Sequence, residues 1–244
     1  MTVQLNHKVH VLFRREDIDM VRLENKVVIV LDVLFATSTM IAALAHGATT
    51  VVPTLDEAGA RLAASGRAEG SYVLSGELYA ETLPGFVSPT PLRLIDHGIK
   101  DKTLIYSTTN GTVALRHASA AAHVFAGALL NAGAVVKHIA KHHPSETILI
   151  ICSGSMGNPN LEDSYGAGCF VDLIASEMGE RDLSDASHMA RAVYLAESAE
   201  SALMRGRVGE MMHERQLLDE VRYAARVSHL DVVPKLLGTE LRAI

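Results

Sequence analysis

Residues 27–39 read VVIVLDVLFATST, and this stretch indicates the class of fold. Five consecutive apolar residues, three of them valine, favour a strand that is covered on both faces, as in the parallel sheets of α/β proteins. Asp32 follows the strand directly, and the small residues after it begin a predicted helix at about 37–46. Because ligands of open α/β sheets bind beyond the carboxyl ends of the strands, Asp32 is a candidate for a functional carboxylate.

The rest of the chain repeats this alternation of strand and helix. Predicted strands cover Val9 to Phe13, Val27 to Leu31, Thr50 to Pro53, Tyr72 to Ser75, Thr103 to Ser107, His123 to Ala126 and Thr147 to Cys152. Predicted helices lie at about 37–46, 55–64, 110–118 and 129–142, and then at 161–178, 183–205, 208–226 and 228–237. We therefore expect an α/β fold with a mainly parallel or mixed sheet, flanking helices and a helical C-terminal third. Residues 1–244 are expected to form a single unit, with a division into two lobes near 120–130 left open.

Composition limits the kinds of partner. The chain has 244 residues, of which 48% are hydrophobic, and a formal net charge of −6. No block of Lys and Arg stands out, so we expect a small-molecule substrate and neither nucleic acid nor membrane as partner. The first residues show no signal-peptide pattern, and Cys152 and Cys169 have no metal or redox spacing, which together favour a cytoplasmic protein. The C-terminal helices, rich in Ala, Leu and Met, favour a homodimer or another homo-oligomer.

Further carboxylates follow other predicted strands. Glu77 comes after YVLS, and Glu162 and Asp163 open the helix that follows TILIIC. Carboxylate oxygens suit Mg²⁺, which usually takes one or two of them together with water and a substrate phosphate. Asp32, Glu77, Glu162 and Asp163 are therefore candidate metal ligands.

Glycines and hydroxyl groups accompany these carboxylates. Gly111, in the turn TTNGT at 108–112, and Gly154, after TILIIC, allow the backbone to approach an anion closely at a helix start. Nearby hydroxyl groups are available for hydrogen bonds to such an anion: Thr37, Ser38, Thr39, Thr109, Thr112 and Ser153. The combination predicts a site for Mg²⁺ and a phosphoryl group.

Each of these residues also has an ordinary structural explanation. Asp32 suits a helix cap, TTNGT suits a turn before a helix, and acidic residues at 162–163 suit the positive end of a helix dipole. The run SGSMG at 153–157 departs from the serine-hydrolase pattern G-x-S-x-G at its first position, and no P-loop is present. His138 and His142 have zinc-like helical spacing, but a solvated helix end is the better explanation because no third ligand is near in sequence.

Five motifs occur in order along the chain. They are LDVLFATST, SGE at 75–77, TTNGTVAL, GALLNA at 127–132 and CSGSMGNPNLEDSYGAG at 152–168. Together they resemble the 2-phosphosulfolactate phosphatase family over about residues 27–170. The resemblance implies an α/β fold of that family's own type, dependence on Mg²⁺ and hydrolysis of a phosphate ester of a small hydroxy acid.

The resemblance also implies roles for individual residues. Asp32, Glu77 and Asp163 match its catalytic positions and, with Glu162, its metal ligands. Positions implied to contact the substrate are Phe35, Thr37, Ser38, Thr39, Ser88, Asn110, Gly111, Thr112, Asn131, Ser153 and Gly154. Whether Asp32 is a metal ligand or the nucleophile stays open at this stage.

The chain departs from the family pattern where arginines are expected. The family typically reads LDVLRATST and TNGTRAL, whereas Phe35 and Val113 stand at the arginine positions here, and the loop 85–89 is shortened. An arginine fork on a phosphate supplies bidentate hydrogen bonds worth about 1.5–3 kcal/mol each. Three arginines are candidates to replace them: Arg14, Arg93 and Arg116. We therefore expect an altered, less charged or more apolar substrate.

Three functions follow as hypotheses. The leading one is a Mg²⁺-dependent hydrolase that cleaves a phosphate ester of a small hydroxy acid. The second is a hydrolase or lyase that acts on a non-phosphorylated organic substrate on the same scaffold. The third is a non-catalytic small-molecule binding protein, which dispersed carboxylates would favour.

Overall fold

The strands of the protein belong to one sheet. The computed structural model describes residues 8–179 and 181–244, and within them the sheet has eleven strands. These are β1 (Lys8–Leu12), β2 (Lys26–Leu31), β3 (Thr50–Thr54), β4 (Tyr72–Leu78), β5 (Glu81–Thr82), β6 (Thr103–Ser107), β7 (His123–Gly127), β8 (Thr147–Cys152), β9 (Asp182–Leu183), β10 (Pro234–Leu237) and β11 (Glu240–Ala243).

Helices cover both faces of this sheet. They are α1 (Ala36–Ala45), α2 (Glu57–Ala64), α3 (Pro91–His97), α4 (Gly111–His117), α5 (Ala132–His142), α6 (Leu161–Met178), α7 (Asp185–Ala196), α8 (Ala199–Arg205), α9 (Arg207–Glu214) and α10 (Leu218–Ala224). On one face, Ile29 of β2 packs with residues of α5 and α6. On the other, Val30 of β2 packs with residues of α1 and α4. The burial of both faces explains why β2 is apolar at nearly every position.

The sheet combines two parallel groups of strands. Its order is β5-β4-β6-β3-β11-β10-β7-β2-β8-β1-β9. The strands β4, β6 and β3 are mutually parallel, as are β7, β2, β8, β1 and β9, whereas the hairpin of β10 and β11 joins the two groups by antiparallel pairs. All seven predicted strands are present, and the predicted α/β fold with a mixed sheet and flanking helices is confirmed.

The same two helices contact both parallel groups. Helix α1 packs against β7, β3 and β6, and α4 packs against β3 and β2. On a flat sheet, the five steps from β6 to β2 would span about 24 Å. The chain nevertheless brings Gly111, four residues after β6, into contact with Asp32, directly after β2. The sheet therefore curves around α1 and α4, and the ends of its two groups converge.

The C-terminal part differs from its prediction in one element. The predicted helix at 228–237 does not form, because residues 234–237 pair with β11 as β10. Pro234 has no backbone N–H to give to a helix and favours an extended residue before it, and Gly238, with φ +63, makes the hairpin turn. Burial of Leu241 in the core then holds the hairpin in place.

The other predicted C-terminal helices form with interruptions. Helix α6 has the predicted bounds. The segment predicted at 183–205 divides into α7 and α8, because Ser198 takes extended backbone and its side chain accepts a hydrogen bond from the N–H of Ser201. The segment predicted at 208–226 divides into α9 and α10 at residues 215–217.

No helix in the described part of the chain is long and apolar enough to cross a membrane. The expectations of a single unit with a division near 120–130, of a homo-oligomer and of a cytoplasmic location stay predictions.

Candidate active site

A cavity of about 340 Å³ lies where the two parallel groups converge. Residues after four strands form part of its wall: Asp32 after β2, Thr109 after β6, Ser155 after β8, and Glu77 near the end of β4. Helix α9 and the turn after it complete the wall. Residues from the ends of four strands therefore meet at this cavity.

Asp32 lies at the wall of this cavity and is 8% exposed. Its Oδ1 accepts a hydrogen bond from the N–H of Ala36 at 3.3 Å, at the start of α1. Burial raises the pKa of Asp32 to about 7, and the negative charges of Glu77 and Glu162 add to the rise, against the opposing N–H groups of Ala36 and Gly111. Asp32 can therefore exchange a proton near neutral pH.

Glu162 is the least compensated of these carboxylates. It is 1% exposed, and neither of its carboxylate oxygens has a hydrogen-bond partner among residues 8–179 and 181–244. Burial raises its pKa, while the more distant charge of Arg207 and the nearby N–H groups of Leu161 and Glu162 itself, which do not reach hydrogen-bond geometry, oppose the rise. Buried polar atoms normally have partners, so these oxygens are available to a ligand.

Asp163 ties two strand ends together. Its Oδ1 accepts from the N–H of Val33 at 2.8 Å, and its Oδ2 accepts from the N–H of Gly154 at 3.2 Å. Burial raises its pKa well above the usual value, and the charges of Asp32 and Glu162 raise it further. Gly154, with φ +65, is needed because a Cβ there would lie 2.7 Å from the carbonyl oxygen of Asn158.

Glu77 is held more firmly than the other three carboxylates. Its Oε1 accepts from the N–H of Thr109 at 2.6 Å, and its Oε2 accepts from the N–H of Ala80 at 2.6 Å and from the hydroxyl of Thr109 at 3.1 Å. Strand β4 continues to Leu78 and pairs with β5 as an antiparallel hairpin, so Glu77 lies within regular structure. Glu77 thus positions the turn that begins at Thr108.

Gly111 makes the closest approach to a carboxylate. A Cβ at this position would lie 2.6 Å from Oδ2 of Asp32 and 2.5 Å from the Cβ of Ala36. The turn before it is held by Arg15, which donates to the carbonyl oxygen of Thr109 at 3.0 Å and to Oδ1 of Asn110. Asn110 lines the cavity.

Most of the predicted substrate-contacting hydroxyl groups are engaged within the protein. Thr37 donates to the carbonyl oxygen of Asp32 at 2.9 Å, Ser38 to that of Val33 at 2.7 Å, and Thr39 to that of Pro89 at 2.9 Å. Thr37 and Ser38 therefore support the turn after β2, and Thr39 ties α1 to the segment before α3, so none of the three is a wall residue.

Of the other residues predicted to contact the substrate, some line the cavity and others hold the surrounding backbone. Ser88 lines the cavity, and Thr112 bonds to Thr108 in the buried turn. The hydroxyl of Ser153 is buried and has no partner in the described residues. Asn131 lies elsewhere: its side chain donates to the carbonyl oxygens of Ala126 and Val232 at 3.2 Å each, which anchors the segment leading to β10.

Phe35 lines the cavity where the family pattern has arginine. The three proposed replacements do not: Arg14 donates to the carbonyl oxygen of Gly157 and pairs with Asp17, and neither Arg93 nor Arg116 is among the described wall residues. The cationic groups at the wall come instead from α9 and the turn after it, as Arg207 and Arg215.

The sequence motifs did not reveal these two arginines. Arg207 donates to the hydroxyl of Ser155 at 3.1 Å and makes no ion pair within 4.0 Å among the described residues. Arg215 is paired with Glu81 at 2.6 Å. Arg207 is therefore the wall cation that is available to an anionic group, and only the folding of α9 over the strand ends places it there.

The carboxylates fit a hard divalent cation. In the described part of the chain no Lys, Arg or His lies within 4.0 Å of Asp32, Glu77, Glu162 or Asp163, so their charge is not compensated by an ion pair. No three of them there come within 4.8 Å of one another, so direct ligation by three at once is not this geometry. Because Mg²⁺ usually takes one or two carboxylates and keeps water on its other positions, the set still suits it.

Known proteins match most of the chain. The family model described as 2-phosphosulpholactate phosphatase matches residues 12–238. A protein of Carboxydothermus hydrogenoformans named a probable 2-phosphosulfolactate phosphatase is 34% identical, over 93% of this chain and 92% of its own length. One of Clostridium novyi with the same name is 30% identical over 93% and 96%. The chain therefore belongs to the 2-phosphosulfolactate phosphatase family.

Proposed function

We propose that the protein is a Mg²⁺-dependent phosphatase that releases phosphate from a monoester of a small hydroxy acid. The observation that carries the proposal is the buried carboxylate of Glu162, which has no hydrogen-bond partner among the described residues and whose charge raises the pKa of Asp32. Asp32 lines the cavity, whereas Glu162 and Asp163 are not among the described wall residues and lie behind it. A divalent cation supplies the missing positive charge, and the names of the relatives point to a phosphate ester.

The residues of the chain would bind the cation and transfer a proton. Asp32, Glu162 and Asp163 would hold Mg²⁺, partly through water, and the ion would neutralise charge on the transferring phosphoryl group. Asp32 lies at the cavity wall, where its carboxylate is suited to take a proton from the attacking water or to return one to the leaving alkoxide. Backbone N–H groups at the starts of α1 and α4 face the same carboxylate and orient it.

The remaining wall indicates what else the substrate carries. Arg207 offers one guanidinium group to a second anionic group, such as a carboxylate. Phe35, Val208, Met211 and Met212 form an apolar part of the same wall. We therefore favour a phosphorylated hydroxy acid with one further anionic group and an apolar substituent, as the substitution of Phe35 for arginine suggests.

Phosphate release from purified protein tests this function. The panel contains 2-phosphosulfolactate, 2-phospholactate and 2-phospho derivatives of hydroxy acids with larger apolar side chains, each with Mg²⁺ and with EDTA. We expect Mg²⁺-dependent release, fastest with an apolar member of the panel. Absence of phosphate release from every ester would reject the proposal in favour of a non-phosphorylated substrate or of simple binding.

Substitution of Arg207 tests the second anionic contact. Arg207→Gln is expected to raise KM roughly 10- to 100-fold with little change in kcat, because it removes a charged hydrogen bond worth about 1.5–3 kcal/mol. Steady-state kinetics on the best substrate of the panel measures this. The matched control is Arg205→Gln, since Arg205 pairs with Glu197 and is not a wall residue. Equal KM values for both variants would remove Arg207 from the site.

Phe35 tests the change of substrate. Phe35→Arg is expected to lower KM for 2-phosphosulfolactate by about tenfold and to raise it for the apolar esters, because a guanidinium replaces an apolar ring at the wall. Competition between the two substrates in one reaction gives the ratio of kcat/KM directly. A ratio unchanged from that of the wild type would show that position 35 does not set specificity.

A further inference from the structure

A second group of metal-binding side chains lies at the opposite end of the parallel strands. His123 is the first residue of β7, His143 follows α5, and Glu146 precedes β8. A ring nitrogen of each histidine and a carboxylate oxygen of Glu146 all lie within 4.8 Å of one another. His123 is opposite Val27, at the start of β2, so about 16 Å of strand separates this group from Asp32.

The contacts within this group leave one buried ring nitrogen without a hydrogen-bond partner among the described residues. Nδ1 of His143 lies 3.2 Å from Oε1 of Glu146, which is an ordinary hydrogen bond. The ring of His123 lies against that of His143, with centroids 4.0 Å apart, yet its Nδ1 is buried without a hydrogen-bond partner among the described residues. An ion held between the rings would give this nitrogen a partner.

The donor set selects the kind of ion. Two imidazoles and one carboxylate are typical ligands of zinc, and of cobalt or nickel, whereas Mg²⁺ prefers oxygen donors throughout. Ligands of one tetrahedral zinc ion lie roughly 3.4 Å apart, so side-chain movements of about 1 Å would bring the three atoms to one ion. Arg181 donates to the backbone carbonyl of Glu146 and not to its carboxylate. Oε2 of that carboxylate accepts from the N–H of Ser145 at 3.1 Å, and Oε1 is the oxygen that faces His143.

We propose that His123, His143 and Glu146 bind one divalent transition-metal ion of the zinc type, with water on the remaining position. The ion would join the end of α5 to the starts of β7 and β8. Because His123 and the pair of His143 and Glu146 come from two segments that only the folded chain brings together, binding would stabilise the folded state. This site is independent of the proposed phosphatase function.

Spectroscopic titration with Co²⁺, in excess Mg²⁺ to occupy the carboxylate site, tests the proposal. We expect one equivalent of Co²⁺ to give visible absorption bands that Zn²⁺ abolishes, and Zn²⁺ to raise the Tm. His123→Gln, His143→Gln and Glu146→Gln should each weaken binding at least tenfold and remove the rise in Tm. Glu146 is a third exposed, so its variant retains the fold if a histidine variant does not.

The matched control is His142→Gln, which changes the exposed neighbour of His143 on the same helix end. It should bind Co²⁺ as the wild type does. Wild-type affinity in Glu146→Gln and His123→Gln would overturn the proposal, and so would loss of binding in His142→Gln, since that would assign the ion to His138 and His142. Phosphate release in Mg²⁺ should be unchanged in Glu146→Gln.

Discussion

Asp32→Asn is expected to lower kcat/KM for phosphate release by about 10³-fold or more and, at the same time, to stabilise the metal-free protein. Activity falls because the variant can neither exchange a proton with the reacting groups nor offer a full charge to the cation, and a positioned acid–base group alone contributes about 10²- to 10⁴-fold. Kinetics with saturating Mg²⁺ measures the first effect, and urea unfolding in EDTA measures the second.

The gain in stability follows from the pKa of Asp32. Burial raises this pKa from 3.8 to about 7, so between these pH values the folded protein keeps a proton that the unfolded chain has lost. The free energy of unfolding of the metal-free protein therefore falls as the pH rises from about 4 to about 7, and the full penalty is present above pH 7. At about 1.4 kcal/mol per pH unit, the penalty reaches up to about 4 kcal/mol.

The variant keeps an oxygen that accepts from Ala36 but carries no charge to desolvate. Its stability should therefore lack this part of the pH dependence, and Mg²⁺ should stabilise it less than the wild type. The control is Asp231→Asn, which changes an exposed carboxylate and should alter neither quantity. Retained turnover in Asp32→Asn would reject the proposed chemistry, and a loss of stability in EDTA above pH 7 would reject the electrostatic account.

Glu220→Ala is expected to cause the largest loss of stability. Glu220 is fully buried on α10, and its carboxylate accepts from the hydroxyl of Thr90 at 2.6 Å, from the N–H of Leu92 at 2.8 Å and from the N–H of Arg93 at 3.0 Å. These donors surround the start of α3, so Glu220 acts as the cap that no side chain of α3 itself provides.

The size of the effect follows from the donors that lose their partner. Each buried donor left unsatisfied costs about 1–3 kcal/mol, so a loss of at least about 3 kcal/mol is expected, or roughly 6–12 °C in Tm. Thr90 lines the cavity, and Glu220 joins it to the helices that carry Arg207, so KM should rise as well. Urea unfolding and steady-state kinetics give the two values.

Asp219→Ala provides the matched control, because Asp219 is the exposed acidic neighbour on the same helix. It should change the free energy of unfolding by less than about 0.5 kcal/mol. Glu220→Gln, which retains one acceptor oxygen, should lie between the wild type and Glu220→Ala. Equal stability of Glu220→Ala and Asp219→Ala would show that the three hydrogen bonds do not hold α3 to α10.

Local sequence was sufficient to predict an element where the residues of that element determine its conformation. The run VVIVL is apolar at every position because both faces of β2 are covered, so a strand could be predicted without knowing its neighbours. The exact agreement of α6 with its prediction has a similar local cause, since Asn160 caps its first turn. The conformation of residues 234–237 could not be predicted locally, because it depends on pairing with β7 and β11.

Some residues of the candidate site could likewise be predicted from local sequence, and others could not. Asp32 and Asp163 could be named from the sequence because the carboxyl ends of parallel strands are where ligands bind, and the motifs around them match a family. The sequence could not show whether the side chains of Thr37, Ser38 and Thr39 contact the substrate or support the backbone. The direction of each side chain depends on which backbone carbonyl its hydroxyl reaches in the folded chain.

The strands, the resemblance to the family and the carboxylates that follow β2 and β8 could thus be recognised without the structure. The folded chain was needed to show that Arg207 lines the same cavity as Asp32 and that His123 lies near His143 and Glu146. Arg207 is distant in sequence from Asp32, and His123 from His143 and Glu146, and no periodic pattern connects these segments. The curvature of the sheet around α1 and α4, which also brings Gly111 to Asp32, arises from packing that involves both parallel groups at once.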